Sequence, residues 1–142
     1  MNTLHPSMRF FIDLARIQAV LNRRFDSGLG GLGLSEFIIL FHLDEAGKEG
    51  MRRVDLAEKI GLTASGVTRL LLPMEKIGLV KREANRDDAR SSLVMIAPGG
   101  KRKLEEGTER AELLAEELVP AARKGEMKYI ASLLTDIGKG IR

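Results

Sequence analysis

The fold is decided by one stretch of sequence, RVDLAEKIGLTASGVTRLLLPMEKIGLVKREANRDDARSSLVMIA, which occupies residues 53–97. Within it, residues 53–60 have the apolar spacing of a short helix that Gly61 would end. Thr63 is well placed to cap the next helix, because its hydroxyl oxygen can accept a backbone N–H from the first turn. The stretch therefore predicts a short helix, a glycine turn and a second helix, which is the plan of a helix-turn-helix.

The second helix of this plan has two different faces. Apolar side chains occupy one of them, namely Val67, Leu70, Leu71, Met74 and Ile77. The opposite face carries Ser65, Thr68, Arg69 and Leu72. A helix of this kind enters the major groove of DNA by its N-terminal end, where small side chains allow a close approach. The predicted DNA contacts are Thr63, Ser65, Thr68 and Arg69. The alternative is that these residues only face solvent.

A β-hairpin is predicted after this helix. Leu79–Ala84 alternates as a strand, Ser91–Ala97 returns as a second strand, and the polar residues 85–90 form the tip. An arginine on a protruding hairpin suits the narrow minor groove, and a neighbouring aspartate can fix its orientation by a charge-assisted hydrogen bond. The predicted wing contacts are Arg86, Asp88 and Arg90. Instead of contacting DNA, Arg86 could form only a surface ion pair. Four further basic residues are predicted either to contact phosphates or to be solvated charges: Lys81, Arg82, Arg52 and Arg53.

Helical spacing also marks the two ends of the chain. An N-terminal helix of some twenty residues is indicated by Phe10, Leu14, Ile17, Leu21 and Phe25. Residues 27–33, with four glycines, predict a flexible connection to a largely buried helix. The apolar spacing of that helix is set by Leu34, Phe37, Ile38 and Phe41. Two apolar stripes follow near the C-terminus, separated near Pro120: Leu104, Ala111, Leu114, Ala115 and Leu118, then Met127, Ile130, Leu133, Leu134, Ile137 and Ile141. These stripes need a surface to pack against, either a second subunit or the core of the same chain.

Composition restricts the class of protein. A chain of 142 residues has the usual length of one domain, and its lack of cysteine excludes disulfides and zinc-thiolate sites. We expect a soluble, unprocessed, cytoplasmic protein without membrane contact, because the sequence has no signal-peptide pattern and no long apolar run. It also has no phosphate loop, no cysteine nucleophile and no cluster of histidines and carboxylates. We therefore expect no enzymatic activity, no cofactor and no metal.

The charges are unevenly distributed along the chain. Residues 48–103 hold 13 basic and 7 acidic residues, whereas the rest holds 10 basic and 13 acidic residues. A basic central segment can accumulate near a polyanion, because contacts between cationic side chains and phosphates release counterions. The asymmetry is consistent with DNA binding, although a solvated surface is its simpler explanation.

Residues 34–100 resemble the MarR family of bacterial and archaeal regulators. The resemblance rests on DLAEKIGL at 55–62, on Ser65–Arg69, on Leu70–Gly78 and on the Asp88-Ala89-Arg90 wing. It implies a mainly α fold with a small β-hairpin wing, a winged helix-turn-helix dimerised through N- and C-terminal helices. The resemblance implies one integrated domain with three parts. Residues 1–33 form a dimerisation helix with its glycine-rich connection, residues 34–100 form the DNA-binding module, and residues 101–142 form the C-terminal dimerisation helices.

The resemblance also implies a function. A homodimer of this family reads the two halves of a pseudo-palindromic operator, with recognition helices about 34–36 Å apart. The expected protein is a sequence-specific regulator of double-stranded DNA, a repressor released by a small aromatic or phenolic ligand. Candidate ligand-lining residues are Phe10, Phe11, Phe37, Phe41 and His42, whose alternative is simple core packing. The alternative function is a winged-helix protein-interaction adaptor, which would not need Arg69 and Arg90 on a face clear of acidic groups.

Three departures from the family pattern have predicted consequences. Pro73 removes one intrahelical hydrogen bond and predicts a kink or an early end near Leu72. Gly66 weakens its helix by up to about 1 kcal/mol relative to alanine. The residues Ile96-Ala97-Pro98-Gly99-Gly100 lack a hydroxyl N-cap worth roughly 1 kcal/mol, which predicts a looser junction with the following helix.

Overall fold

The computed structural model describes residues 3–26 and 28–141. Its helices are α1 (Pro6–Asp26), α2 (Leu34–Ala46), α3 (Arg53–Ile60), α4 (Ala64–Lys76), α5 (Pro98–Leu118) and α6 (Met127–Gly140). Its strands are β1 (Met51–Arg52), β2 (Val80–Ala84) and β3 (Ser92–Ile96). Short 3-10 segments occupy Gly47–Glu49 and Ala121–Glu126. The mainly α fold with a small β wing, predicted from the sequence, is confirmed.

The chain divides into two compact units, Met1–Ala111 and Glu112–Arg142. In the second unit, α6 exposes Met127, Ile130, Leu133 and Leu134. Lys124 Nζ donates to Glu116 Oε1 over 3.0 Å in the same unit. No helix in the described part of the chain is long and apolar enough to cross a membrane.

The wing is a three-stranded antiparallel sheet in the order β1-β3-β2. Val80 pairs with Ile96 and Ala84 with Ser92, so β2 and β3 form the predicted hairpin. The third strand, β1, was not predicted, because two residues are too short to show an alternating pattern. Gly50 allows its approach to β3, since a Cβ there would lie 2.7 Å from the Val94 carbonyl oxygen.

The core of the first unit is aliphatic. Its fully buried side chains are Leu29, Ile39, Leu40, Leu43, Leu56, Met74, Val67 and Val94. In α2 the buried face therefore differs from the one set by Leu34, Phe37, Ile38 and Phe41, and Phe41 is 45% exposed. The reason is that α2 carries apolar residues on all sides, so spacing alone does not identify its buried face.

The glycine-rich connection forms a turn instead of an open linker. Leu29 and Leu32 are both buried and form an isolated β-bridge with each other. Gly30 and Gly31 between them have positive φ values of 65° and 94°, a conformation that favours glycine. Ser27, which belonged to the predicted connection, lies outside the described residues.

Helix α4 runs through its proline. The predicted early end near Leu72 is wrong, because α4 continues to Lys76 and both Leu71 and Met74 are buried beside Pro73. Burial of these side chains offsets the one backbone hydrogen bond that proline cannot make. The predicted burial of Ile77 is also wrong: this residue is 69% exposed, because it lies at the C-cap, where the chain leaves the helix through Gly78.

The junction between β3 and α5 is close-packed, in contrast to the predicted loose one. Ala97 N donates to the Leu79 carbonyl over 2.9 Å, and Lys101 N donates to the Ala97 carbonyl over 3.0 Å. A Cβ on Gly99 would lie 2.8 Å from the Gly78 carbonyl oxygen. A Cβ on Gly100 would overlap the Leu79 carbonyl oxygen. The two glycines thus replace the missing hydroxyl cap with close backbone contact.

Candidate nucleic-acid interface

The N-terminus of α4 is capped by Thr63, as predicted. Thr63 Oγ1 accepts from Gly66 N over 3.1 Å and lies 3.3 Å from Ser65 Oγ. A Cβ on Gly66 would lie 3.2 Å from Thr63 Oγ1, so glycine leaves room for the cap. The result is an exposed first turn with small polar side chains, which permits close contact with a flat or grooved surface.

Thr68 connects α4 to α3. Its hydroxyl donates to the Ala64 carbonyl over 3.0 Å and accepts from Arg53 Nη1 over 2.9 Å. A hydroxyl has one hydrogen to donate, so with that hydrogen engaged Thr68 offers only its remaining acceptor capacity to a base edge. Arg53 keeps further N–H donors beside the exposed Arg69 face, a contribution that sequence spacing did not reveal.

The tip of the wing is fixed by hydrogen bonds that its polar side chains make to the backbone and to each other. Asn85 Oδ1 accepts from Asp87 N over 3.1 Å, and Asn85 Nδ2 donates to Ser91 Oγ over 3.0 Å. Asp88 Oδ1 accepts from the backbone N–H of Arg90 over 2.9 Å. The aspartate therefore shapes the turn through the backbone, where the sequence had suggested a bond to the arginine side chain. Arg86 and Arg90 are both exposed at this tip.

The predicted phosphate contacts on β2 have acidic neighbours. Arg82 Nε lies 3.0 Å from Glu75 Oε2, and Lys81 Nζ lies 3.9 Å from Glu83 Oε1. Both pairs are substantially exposed and stabilise the fold by less than about 1 kcal/mol. Arg52, at the start of α3, is paired with Asp55, and this hydrogen bond raises the pKa of Arg52. Asp88 adds a smaller effect in the same direction.

Comparison with known proteins shows that part of this arrangement resembles one family. The family model of MarR matches residues 32–92, which include the helix-turn-helix and most of the wing. This part of the chain, less than half of its length, resembles the MarR family. The solved structure of the regulator BldR from Sulfolobus solfataricus is similar to it with a TM-score of 0.86 and 26% identity, covering 99% of this chain and 100% of BldR. The fold is therefore a winged helix-turn-helix, shared with a solved transcriptional regulator.

Two further relatives carry informative names. The HTH-type transcriptional repressor YetL of Bacillus subtilis (strain 168) is 29% identical over 102 residues, 70% of this chain and 61% of YetL. The M. tuberculosis regulator MosR, solved in complex with DNA, has a TM-score of 0.76 and 22% identity, and the match covers 91% of this chain and 92% of MosR. At that identity the likeness to MosR shows the fold.

Four of the five candidate ligand-lining residues form two ring pairs. The centroids of Phe10 and Phe11 are 5.5 Å apart, and those of Phe41 and His42 are 5.2 Å apart. Phe37 packs elsewhere, since its Cδ2 would lie 3.2 Å from a Cβ on Gly107. Within the described residues, His42 Nδ1 is buried without a hydrogen-bond partner. Their role in ligand binding stays a prediction.

His42 is shifted toward its neutral form. Burial lowers the pKa of its imidazole, the charge of Lys59 lowers it further, and Glu45 acts in the opposite direction. A groove of about 420 Å³ beside α2 includes none of the five candidates. It is lined by Gln18, Asn22, Ser35, Ile38, Ile60, Gly61 and Leu62. Sequence spacing missed this groove because its lining residues come from three separate segments of the chain.

Proposed function

We propose that this protein is a regulator of the MarR family, a homodimeric repressor that recognises a pseudo-palindromic site in double-stranded DNA. The observation that supports the proposal most is the exposed N-terminal half of α4. It presents Ser65, Thr68 and Arg69 on one face, with Arg53 bonded to Thr68. The one acidic residue of α4 is Glu75, which lies in its last turns and is paired with Arg82.

The two arginine-bearing elements have distinct roles in this proposal. Arg69 on α4 reads base edges in the major groove, where an arginine can donate two hydrogen bonds to guanine. Arg90 at the tip of the wing enters the minor groove, whose narrow A·T-rich segments attract cationic side chains. Lys81 and Arg82 on β2 contact phosphates and position the module without reading sequence.

We assign dimerisation to the helices outside the DNA-binding module. Helix α1 exposes Met8, Phe11, Ile12, Leu14 and Ile17, and α6 exposes a second apolar set of its own. Apolar side chains grouped on one helix typically mark a protein–protein contact. The division into 1–33, 34–100 and 101–142 follows from this assignment. Two copies of the 34–100 module would then face the two halves of the operator.

Repression and release complete the proposal. The repressor YetL resembles most of this chain, which supports a repressive role. A small aromatic or phenolic ligand would favour one of two conformations and thereby change operator affinity. Phe10, Phe11, Phe37, Phe41 and His42 are the proposed lining residues, and the neutral form of His42 would be able to accept or donate a hydrogen bond to such a ligand.

The proposed function predicts sequence-specific, salt-dependent binding to duplex DNA. The purified protein is expected to enrich a palindromic site from random-sequence and genomic DNA. In fluorescence anisotropy, affinity for that site should fall by roughly 10³- to 10⁵-fold between about 50 and 200 mM salt, as for proteins that contact six to ten phosphates. Failure to bind DNA at low salt would overturn the proposal and would leave a protein-interaction adaptor as the function to test.

Release by a ligand is tested separately on the enriched site. Addition of 2-hydroxybenzoate or 4-hydroxybenzoate is expected to weaken operator binding by about 5- to 150-fold, the usual range of coupling between two sites. Cyclohexanecarboxylate is the matched control, because it has the same charge without an aromatic ring. Operator affinity that stays constant across a panel of phenolic anions would rule out this part of the proposal, with DNA recognition unaffected.

A further inference from the structure

Leu72 is a large apolar side chain on the exposed face of α4. It is 52% exposed, whereas its neighbour Leu71 is buried. Leu72 lies three residues beyond Arg69 and four beyond Thr68, so all three side chains share one face of the helix. The aliphatic side chain of Leu72 therefore lies on the same face as the polar candidate contacts Thr68 and Arg69. Packing in the core does not account for Leu72, because this side chain points to solvent.

The surroundings of Leu72 are apolar with a basic margin. A shallow groove of about 560 Å³ is lined by Leu72, Pro73, Glu75, Lys76 and Arg82. Glu75 is engaged by Arg82, whose Nε lies 3.0 Å from Glu75 Oε2, so Lys76 remains as an exposed cation beside the apolar pair. This combination fits an apolar group carried on a polyanion.

We propose that Leu72 contacts the C5-methyl group of a thymine in the major groove and thereby specifies one A·T pair in each half-site. The thymine methyl is the apolar feature of base edges in that groove. Leu72 lies about 6 Å further along the helix axis than Thr68, at 1.5 Å per residue, which brings it to a different base step. This inference rests on the proposed function, because it requires α4 to lie in the major groove.

The test removes the methyl group without changing the protein. The full-length wild type first selects a duplex from a random-sequence library, and each thymine of that duplex is then replaced singly by deoxyuridine. At one thymine per half-site this replacement is expected to weaken wild-type binding about three- to fivefold, the effect of exposing one methyl-sized group. The Leu72→Ala variant loses the contact in both half-sites, so it should bind the thymine duplex about nine- to 25-fold more weakly than the wild type, with no further loss at the deoxyuridine position.

Two variants control for other effects. Leu72→Met keeps an apolar side chain and should retain the dependence on the methyl group, whereas Ile77→Ala removes another exposed side chain near the end of α4 and should leave that dependence unchanged. If no thymine shows the effect, or if Leu72→Ala remains equally sensitive to deoxyuridine, the inference fails while DNA recognition stands. If the wild type selects no duplex, the proposed function fails with it.

Discussion

Replacing Gly100 by alanine is expected to lower the free energy of unfolding by about 3 kcal/mol, at the upper end of overpacking effects. A Cβ at this position overlaps the Leu79 carbonyl oxygen and lies 2.9 Å from Ile96 Cγ1. The Leu79 carbonyl is backbone and already accepts the Ala97 N–H, so no rotation of a side chain relieves the overlap. Helix α5 would have to move away from the strands, which would weaken the packing of Leu104.

A graded series of glycine substitutions provides the controls. Gly138 lies inside α6 with open space around it, and its replacement by alanine should stabilise the protein by roughly 0.5–1 kcal/mol. A Cβ on Gly107 would lie 3.2 Å from Cδ2 of Phe37. Because that ring can shift, Gly107→Ala should have an intermediate effect.

Urea unfolding, followed by circular dichroism at one fixed protein concentration, measures all three variants, since the apparent stability of a dimer depends on concentration. Equal stabilities for Gly100→Ala and Gly138→Ala would show that the β3–α5 junction is not close-packed.

The helix-turn-helix was predictable because its signals are local. Gly61, with a φ of 74°, ends α3, and Thr63 caps α4, so each boundary depends on residues within one turn of it. Hydrogen bonds of this range follow from residue type and spacing alone. The limits of α3 and the cap of α4 were therefore obtained from the sequence.

Other features depend on packing between distant residues, and sequence spacing did not give them. Strand β1 forms only because Gly50 allows contact with Val94. Pro73 remains inside α4 because Leu71 and Met74 on the opposite face are buried, a tertiary effect that outweighs its low helix propensity. At the interface, the bond between Arg53 and Thr68 joins residues fifteen positions apart, so the pattern of either helix alone does not contain it.

Arg69→Ala and Arg90→Ala are expected to produce the largest losses of DNA affinity. A well-placed arginine contact is worth about 1–3 kcal/mol, and a homodimer loses two such contacts for each substitution. Each variant should therefore bind the selected operator at least about 30-fold more weakly than the wild type, at 1.4 kcal/mol per tenfold change. Fluorescence anisotropy at one fixed salt concentration measures this loss, and Arg110→Ala on the exposed surface of α5 is the matched control.

The two substitutions should differ in what they do to sequence preference. Arg69→Ala should relax the preference at one base pair of each half-site, whereas Arg90→Ala should reduce the preference for a narrow A·T-rich minor groove. Arg69→Lys separates geometry from charge, because lysine keeps the positive charge but cannot form the two parallel hydrogen bonds of a guanidinium. This variant should keep the wild-type salt dependence and lose the base preference. If both alanine variants bind within about threefold of the wild type, the α4 face and the wing do not contact DNA, and another basic surface must carry the binding.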